Sequence, residues 1–158
     1  MSLELKTGDE PLSQWVTFQL AGETYGIAVS QVKEVIRVSE ISPVPGAPAY
    51  VLGIINLRGV VVSVIDTRRR FGLPPKEAEE ESRIILIEVD GHYIGILVDG
   101  VSEVVDLPKS EIDTAPNVGN SDASKYIMGV TTREGDLLIL IDLNSLFSEE
   151  ELLEVTNL

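Results

Sequence analysis

Val16, Phe18 and Leu20 alternate with Thr17 and Gln19 near the start of the chain, the period-two pattern of a strand with one buried face. Runs rich in β-branched and aliphatic residues recur over 60–65, 84–89, 94–98 and 137–141, and Gly, Pro, Asn and Asp interrupt the chain between them at short intervals. The pattern predicts an all-β barrel or sandwich with little helix. Residues 73–82 depart from it: Pro74-Pro75 and the glutamates at 77, 79, 80 and 81 are too polar and too proline-rich for a core strand and predict a linker. Ser148-Glu149-Glu150-Glu151 has the form of a capping box, and Leu152, Leu153 and Val155 follow as an apolar stripe, so 148–158 is expected to form a short C-terminal helix.

The strands also repeat. Adding 69 to the residue number carries Gly22 onto Gly91, Gly26 onto Gly95, Ile27 onto Ile96, Val29 onto Val98, Val32 onto Val101 and Glu34 onto Glu103. Adding 76 carries Tyr50 onto Tyr126, Gly53 onto Gly129, Gly59 onto Gly135, Asp66 onto Asp142 and Phe71 onto Phe147. Glycines and aspartates match as well as aliphatics, which is what a duplicated strand-turn-strand unit retains when its surface diverges. The change of offset falls between Ile36 and Tyr50 in the first repeat. In the second it falls where a longer polar stretch runs around Pro116, Asn117, Gly119 and Asn120. Matched residues are expected to be scaffold: Gly22, Gly59, Gly91 and Gly135 as turn glycines, Asp66 and Asp142 as helix N-caps.

Composition narrows the function. Lys and Arg number 12 against 26 Asp and Glu, a formal charge of −14 that repels nucleic-acid backbones and anionic lipid alike. No apolar run reaches the roughly 20 residues of a membrane-spanning helix, and Met1 to Glu10, with Glu4, Asp9 and Glu10, lacks a secretory pattern. The chain has no cysteine and a single histidine, His92, so thiolate chemistry is absent, and a lone histidine at the Asp90-Gly91 turn reads as exposed rather than catalytic. No phosphate-cradling glycine loop, zinc helix or calcium loop is present. Asp66 and Asp142 as a catalytic carboxylate pair would need to explain why each recurs at the same place in its own repeat. The Arg68-Arg69-Arg70 run reads as a solvated face or an edge contact with an acidic partner. No catalytic residue, metal site or cofactor is expected.

Contact surfaces are expected where the repeats differ. Asn56-Leu57-Arg58-Gly59 aligns with Thr132-Arg133-Glu134-Gly135, so the turn glycine is kept while the charge before it reverses. Arg58 is a candidate recognition or interlock residue, either forked onto a carboxylate or bonded to carbonyls of the neighbouring unit.

These residues carry a resemblance. Glu34 in Val32-Lys33-Glu34-Val35-Ile36, then Pro43-Val44-Pro45, the run from Gly53 through Asn56-Leu57-Arg58-Gly59, and Val64-Ile65-Asp66 are similar in order and spacing to chemotaxis coupling proteins of the CheW-like domain family, from about Trp15 to Phe147. The resemblance implies two packed SH3-like five-stranded barrels within 15–147, and a cytoplasmic, non-enzymatic adaptor that joins receptor arrays only through its partners. Those partners would be the regulatory domain of the histidine kinase CheA and the cytoplasmic tips of methyl-accepting chemoreceptors. Carried over, the receptor-binding groove falls on Val16, Val29 and Val32 with Glu34 beside them, the coupling residue on Arg58 and the turn glycine on Gly59. The CheA regulatory domain and CheV-type scaffolds share the fold, and this chain, which shows no kinase or receiver segment, is expected to be a stand-alone module. The alternative is an SH3-like peptide-binding scaffold of another two-component pathway. Against it stands the scarcity of aromatics, Trp15 with four Tyr and three Phe, since proline-rich ligands need aromatic-lined grooves.

Overall fold

The computed structural model describes residues 11–114 and 125–158; the N-terminal decapeptide and the polar stretch around Pro116 to Asn120 lie outside them. Repeat one supplies β1 (Leu12–Leu20), β2 (Glu23–Ala28), β3 (Val32–Arg37), β4 (Val51–Leu57), β5 (Val60–Asp66) and the single-turn helix α1 (Thr67–Arg70). Repeat two supplies β6 (Arg83–Val89), β7 (His92–Val98), β8 (Gly100–Pro108), β9 (Ile127–Arg133), β10 (Asp136–Ile141) and the helix α2 (Glu149–Thr156). Residues 73–82 are irregular.

The ten strands form two five-stranded sheets, ordered β8-β1-β2-β10-β9 and β3-β6-β7-β5-β4. Shifting each number by five turns one order into the other, so the internal repeat is a repeat of architecture. The two barrels, however, are not the two copies. Each takes strands from both: β6 and β7 complete the barrel begun by β3, β4 and β5, and β1 and β2 complete the one made by β8, β9 and β10. The seams between repeats are the antiparallel pairs β1–β8 and β3–β6 and the parallel pairs β2–β10 and β5–β7. Neither repeat can satisfy its backbone N–H and C=O groups alone.

Four hairpin turns share one geometry. Ala21-Gly22, Arg58-Gly59, Asp90-Gly91 and Glu134-Gly135 all have positive φ at both positions, near 50° for the first residue and between 81° and 87° for the glycine. This is the type I′ turn, whose twist matches that of the strands it joins. Glycine adopts the second position without strain, whereas the first is left-handed for a residue with a Cβ. Gly53 and Gly129 serve another purpose. Each barrel closes through an isolated bridge, Ser42 to Ile54 in one and Asp113 to Val130 in the other. A Cβ on Gly53 would overlap the carbonyl oxygen of Ser42; one on Gly129 would stand 2.7 Å from Ile112 Cγ2 and 2.9 Å from the carbonyl oxygen of Asp113. Close backbone approach explains why this glycine is kept in both repeats.

Among the described residues, the buried apolar side chains form three clusters. Trp15, Val105, Leu107, Leu138 and Leu140 fill the first barrel, and Ile55, Val62, Val64, Ile84 and Leu86 fill the second. The largest lies between the barrels and includes Val16, Phe18, Tyr25, Ile65, Phe71, Ile85, Ile87, Ile94 and Phe147. Alternation along β1 therefore sends Trp15 into one barrel and Val16 into the inter-barrel core, so both faces of the strand are buried.

Both expected N-caps form. Asp66 accepts from the Arg69 N–H at 3.2 Å, and Asp142 accepts from the Asn144 N–H at 3.0 Å and from the Ser145 hydroxyl at 2.9 Å. The capping box of α2 is complete: the Glu151 N–H donates to Ser148 Oγ at 3.1 Å, and the Ser148 N–H donates to Glu151 Oε1 at 3.0 Å. Leu152 and Val155, three residues apart on one helix face, are buried, while Leu153 turns to solvent, a departure from the expected stripe. The buried Ser63 hydroxyl donates to the carbonyl of Val155 at 2.6 Å, tying the helix to β5. Among the described residues, no helix is long and apolar enough to cross a membrane.

Candidate functional site

Arg58 leaves the β4–β5 turn with its side chain 69% exposed and reaches back across the barrel mouth to β3. Its Nη2 donates to Glu34 Oε1 at 2.6 Å and its Nη1 to Glu34 Oε2 at 3.3 Å, the forked geometry that guanidinium and carboxylate favour. Bonding to carbonyls of the neighbouring unit, the other sequence-level alternative, is replaced by this pair, and both partners belong to the same barrel. Charge-assisted hydrogen bonding holds the Glu34 carboxyl below the usual carboxylate range and pushes the Arg58 guanidinium further up. Gly59 completes the turn, and its N–H donates to Asn56 Oδ1 at 2.9 Å. The asparagine of Asn56-Leu57-Arg58-Gly59 thus spans the turn that presents the arginine.

Around this pair opens a cleft of about 370 Å³ lined by Lys33, Leu57, Val60, Val62, Leu86 and Tyr93. Val60 is 57% exposed and Tyr93 50%, so the mouth of the second barrel presents apolar surface rimmed by charge. Lys33 is paired with Glu88 at 2.8 Å. The first barrel has the equivalent mouth, and repeat mates line it: Glu134 for Arg58, Arg133 for Leu57, Asp136 for Val60, Thr17 for Leu86 and Thr24 for Tyr93. That mouth is polar and narrower, about 130 Å³. Leu57, Val60, Leu86 and Tyr93 escaped the sequence reading because each taken singly is an ordinary strand residue. Comparing the repeats position by position at their hairpins would have found them, since each has a polar or charged mate.

The expected groove residues do not sit together on one open surface. Val16 is only 7% exposed and belongs to the inter-barrel core, which corrects its placement in a groove open to a partner: both faces of β1 are covered by its own protein. Val29 and Val32 are partly exposed and pack against the same cluster. The ladder between β3 and β6 slips between Val32 and Glu34, and the irregularity separates Val32, on the inter-barrel side, from Glu34 at the mouth.

The Arg68-Arg69-Arg70 run is also not the solvated face expected of it. Arg68 and Arg70 side chains are 12% and 13% exposed. Arg68 grips Asp99 in a fork at 2.6 and 3.0 Å, and the other Asp99 contact, from the Ala21 N–H at 2.9 Å, ties in the β1–β2 turn of the opposite barrel. Arg70 lies against the rings of Tyr50, Tyr126 and Phe147, 4.5 to 5.7 Å from their centroids. It donates to both Glu151 oxygens at 2.6 and 2.9 Å and to the Leu146 carbonyl at 3.0 Å. These are inter-barrel clamps. His92 is half-buried at the start of β7. Among the described residues, no group of three or more His, Cys, Asp and Glu is placed to hold a metal ion.

A double barrel with two equivalent mouths of unlike polarity offers two distinct contact surfaces and is suited to a scaffold. Comparison with known proteins agrees. Residues 14–151 match the model of the CheW-like domain. The chain is 37% identical to the chemotaxis protein CheW of Bacillus subtilis, over 95% of this chain and 94% of that one. It is 36% identical to the chemotaxis protein CheW of Treponema pallidum, over 92% and 88%. The crystal structure of the scaffolding protein TtCheW from Thermoanaerobacter tengcongensis superposes with a TM-score of 0.81 at 34% identity, covering 89% of this chain and 96% of that one. The chain belongs to the CheW-like domain family. Its class is accordingly a chemotaxis scaffold and not an enzyme.

Proposed function

We propose that this protein works in the cytoplasm as the adaptor between chemoreceptor cytoplasmic tips and the regulatory domain of the histidine kinase CheA. The observation that carries the reading is the contrast between the two mouths: a shared scaffold has been made apolar and arginine-rimmed in one barrel and polar in the other. A duplicated module with unlike ends suits a protein that must hold two different partners. Val29 and Val32, partly exposed at the seam, are proposed to meet the apolar stripe of a receptor helix, as other grooves accept amphipathic helices, with Val16 supporting them from beneath. Glu34 and Arg58 at the second mouth are proposed to link that contact to the kinase side.

The test is a pull-down of the full chain with a CheA regulatory domain and, separately, with a receptor cytoplasmic fragment. Retention of both, each lost on a different surface substitution, is the expected result. Failure of the folded protein to retain either would overturn the reading.

A further inference from the structure

Where the two repeats meet around Tyr50, Tyr126 and Phe147, a cleft of about 490 Å³ opens between α1 and the start of α2. It shares no residue with either barrel mouth. Its lining reverses the character of the chain: against 26 acidic and 12 basic residues overall, the described lining residues include Arg69, Arg70 and Lys125 with Glu151 as their one acid. Arg70 is immobilised by its rings and by Glu151, so its guanidinium forms a fixed wall of the cleft whose charge the Glu151 carboxylate balances. Arg69 is held loosely, 3.8 Å from Asp66 and with 52% of its side chain exposed, and Lys125 is exposed. Both have long stems free to close on a ligand.

A second observation is independent of charge. The Tyr50 hydroxyl oxygen is buried, yet it has no hydrogen-bond partner among the described residues. Burial pushes this phenol up from its ordinary value, so it keeps its proton at neutral pH. A buried hydroxyl without a partner calls for an explanation, and a ligand oxygen that displaces the side chains now covering it supplies one. The cleft is many times the roughly 30 Å³ share of one water, enough for an anion of several groups.

We propose that this cleft binds a small oxyanion bearing more than one negative charge, of the oligophosphate or polycarboxylate class. Arg69 and Lys125 supply the excess positive charge and close on the ligand oxygens, the Arg70–Glu151 pair forms the fixed wall, and the Tyr50 hydroxyl donates to one ligand oxygen. The chemistry is shared by both classes, so the probes are pyrophosphate and citrate.

Each probe is titrated into the full chain at constant ionic strength, followed by calorimetry and by ¹H–¹⁵N spectra. Saturable binding is expected, with shifts concentrated at Tyr50, Arg69, Arg70 and Lys125. Affinity should fall at least tenfold in the Arg69→Ala, Lys125→Ala double variant and several-fold in Tyr50→Phe. Lys33→Ala, which removes a cation outside the cleft, should leave it unchanged. Tighter binding of either probe supports the proposal and identifies the class. Absence of saturable binding to both, or an equal loss in Lys33→Ala, overturns it; Tyr50→Phe, which removes one oxygen, keeps the test open should the double variant unfold.

Discussion

Arg58 and Glu34 form a forked ion pair, Nη2 to Oε1 at 2.6 Å, that spans the mouth of the second barrel from the β4–β5 turn to β3. Exposed pairs contribute little to stability, and this one is proposed to serve recognition rather than folding. Arg58→Ala should move the melting temperature by no more than a few degrees. It should weaken capture of at least one partner about tenfold or more. Calorimetric unfolding and pull-down on the same preparation check this; a large drop in melting temperature would make the pair structural.

Left-handed backbone at Arg58 and Glu134 leads to a second expectation. Asn tolerates this conformation better than residues with longer side chains. Glu134→Asn, at the polar mouth, should raise stability by up to about 1 kcal/mol, the lower end of the cost of this conformation, measured by urea unfolding, and should leave the fold intact.

Gly53 is where the second barrel closes. A Cβ there overlaps the Ser42 carbonyl, which cannot swing aside, whereas at Gly129 the approach is milder, 2.7 Å to Ile112 Cγ2 and 2.9 Å to the Asp113 carbonyl oxygen. Gly53→Ala should cost more than about 2 kcal/mol and exceed Gly129→Ala. Equal losses in denaturant unfolding would show that the two closures yield alike.

The Arg70–Glu151 and Arg68–Asp99 pairs make stability depend on acid. Hydrogen bonds from the arginines lower the pKa values of Glu151 and Asp99. A carboxyl with a depressed folded-state pKa contributes stability above its unfolded pKa and loses it as pH falls through the folded one. With unfolded values near about 4.3 and 3.9, melting temperature should be flat from neutrality down to about pH 5 and fall below about pH 4. Glu151→Gln and Asp99→Asn should flatten that fall. Arg70→Ala should cost about 2 kcal/mol at pH 7, between the values for exposed and buried pairs, because it also strips three aromatic rings of their cation.

Short-range features were legible in the chain. The alternation in β1, the X-Gly turns, the caps at Asp66 and Asp142 and the capping box of α2 each depend on residues a few positions apart, and the repeat offsets exposed the duplication. The site was legible only in part. Arg58 was found because its mate carries the opposite charge, and Glu34 only through the family resemblance, while Leu57, Val60, Leu86 and Tyr93 come from four different strands that only folding gathers.

What the sequence determined by itself was the kind of element at each place and the existence of two like units, since propensity, turn geometry and capping are local. Tertiary structure alone decided that the barrels are not those units. Strand pairing is non-local: β6 satisfies its backbone against β3, and β1 against β8, and no local pattern distinguishes that choice from pairing within a repeat. The same exchange buried Val16, which alternation marks only as apolar, and turned Arg68 and Arg70 from apparent surface charges into clamps. A side chain's partners are set by the elements packed against it, and those arrive from far along the chain.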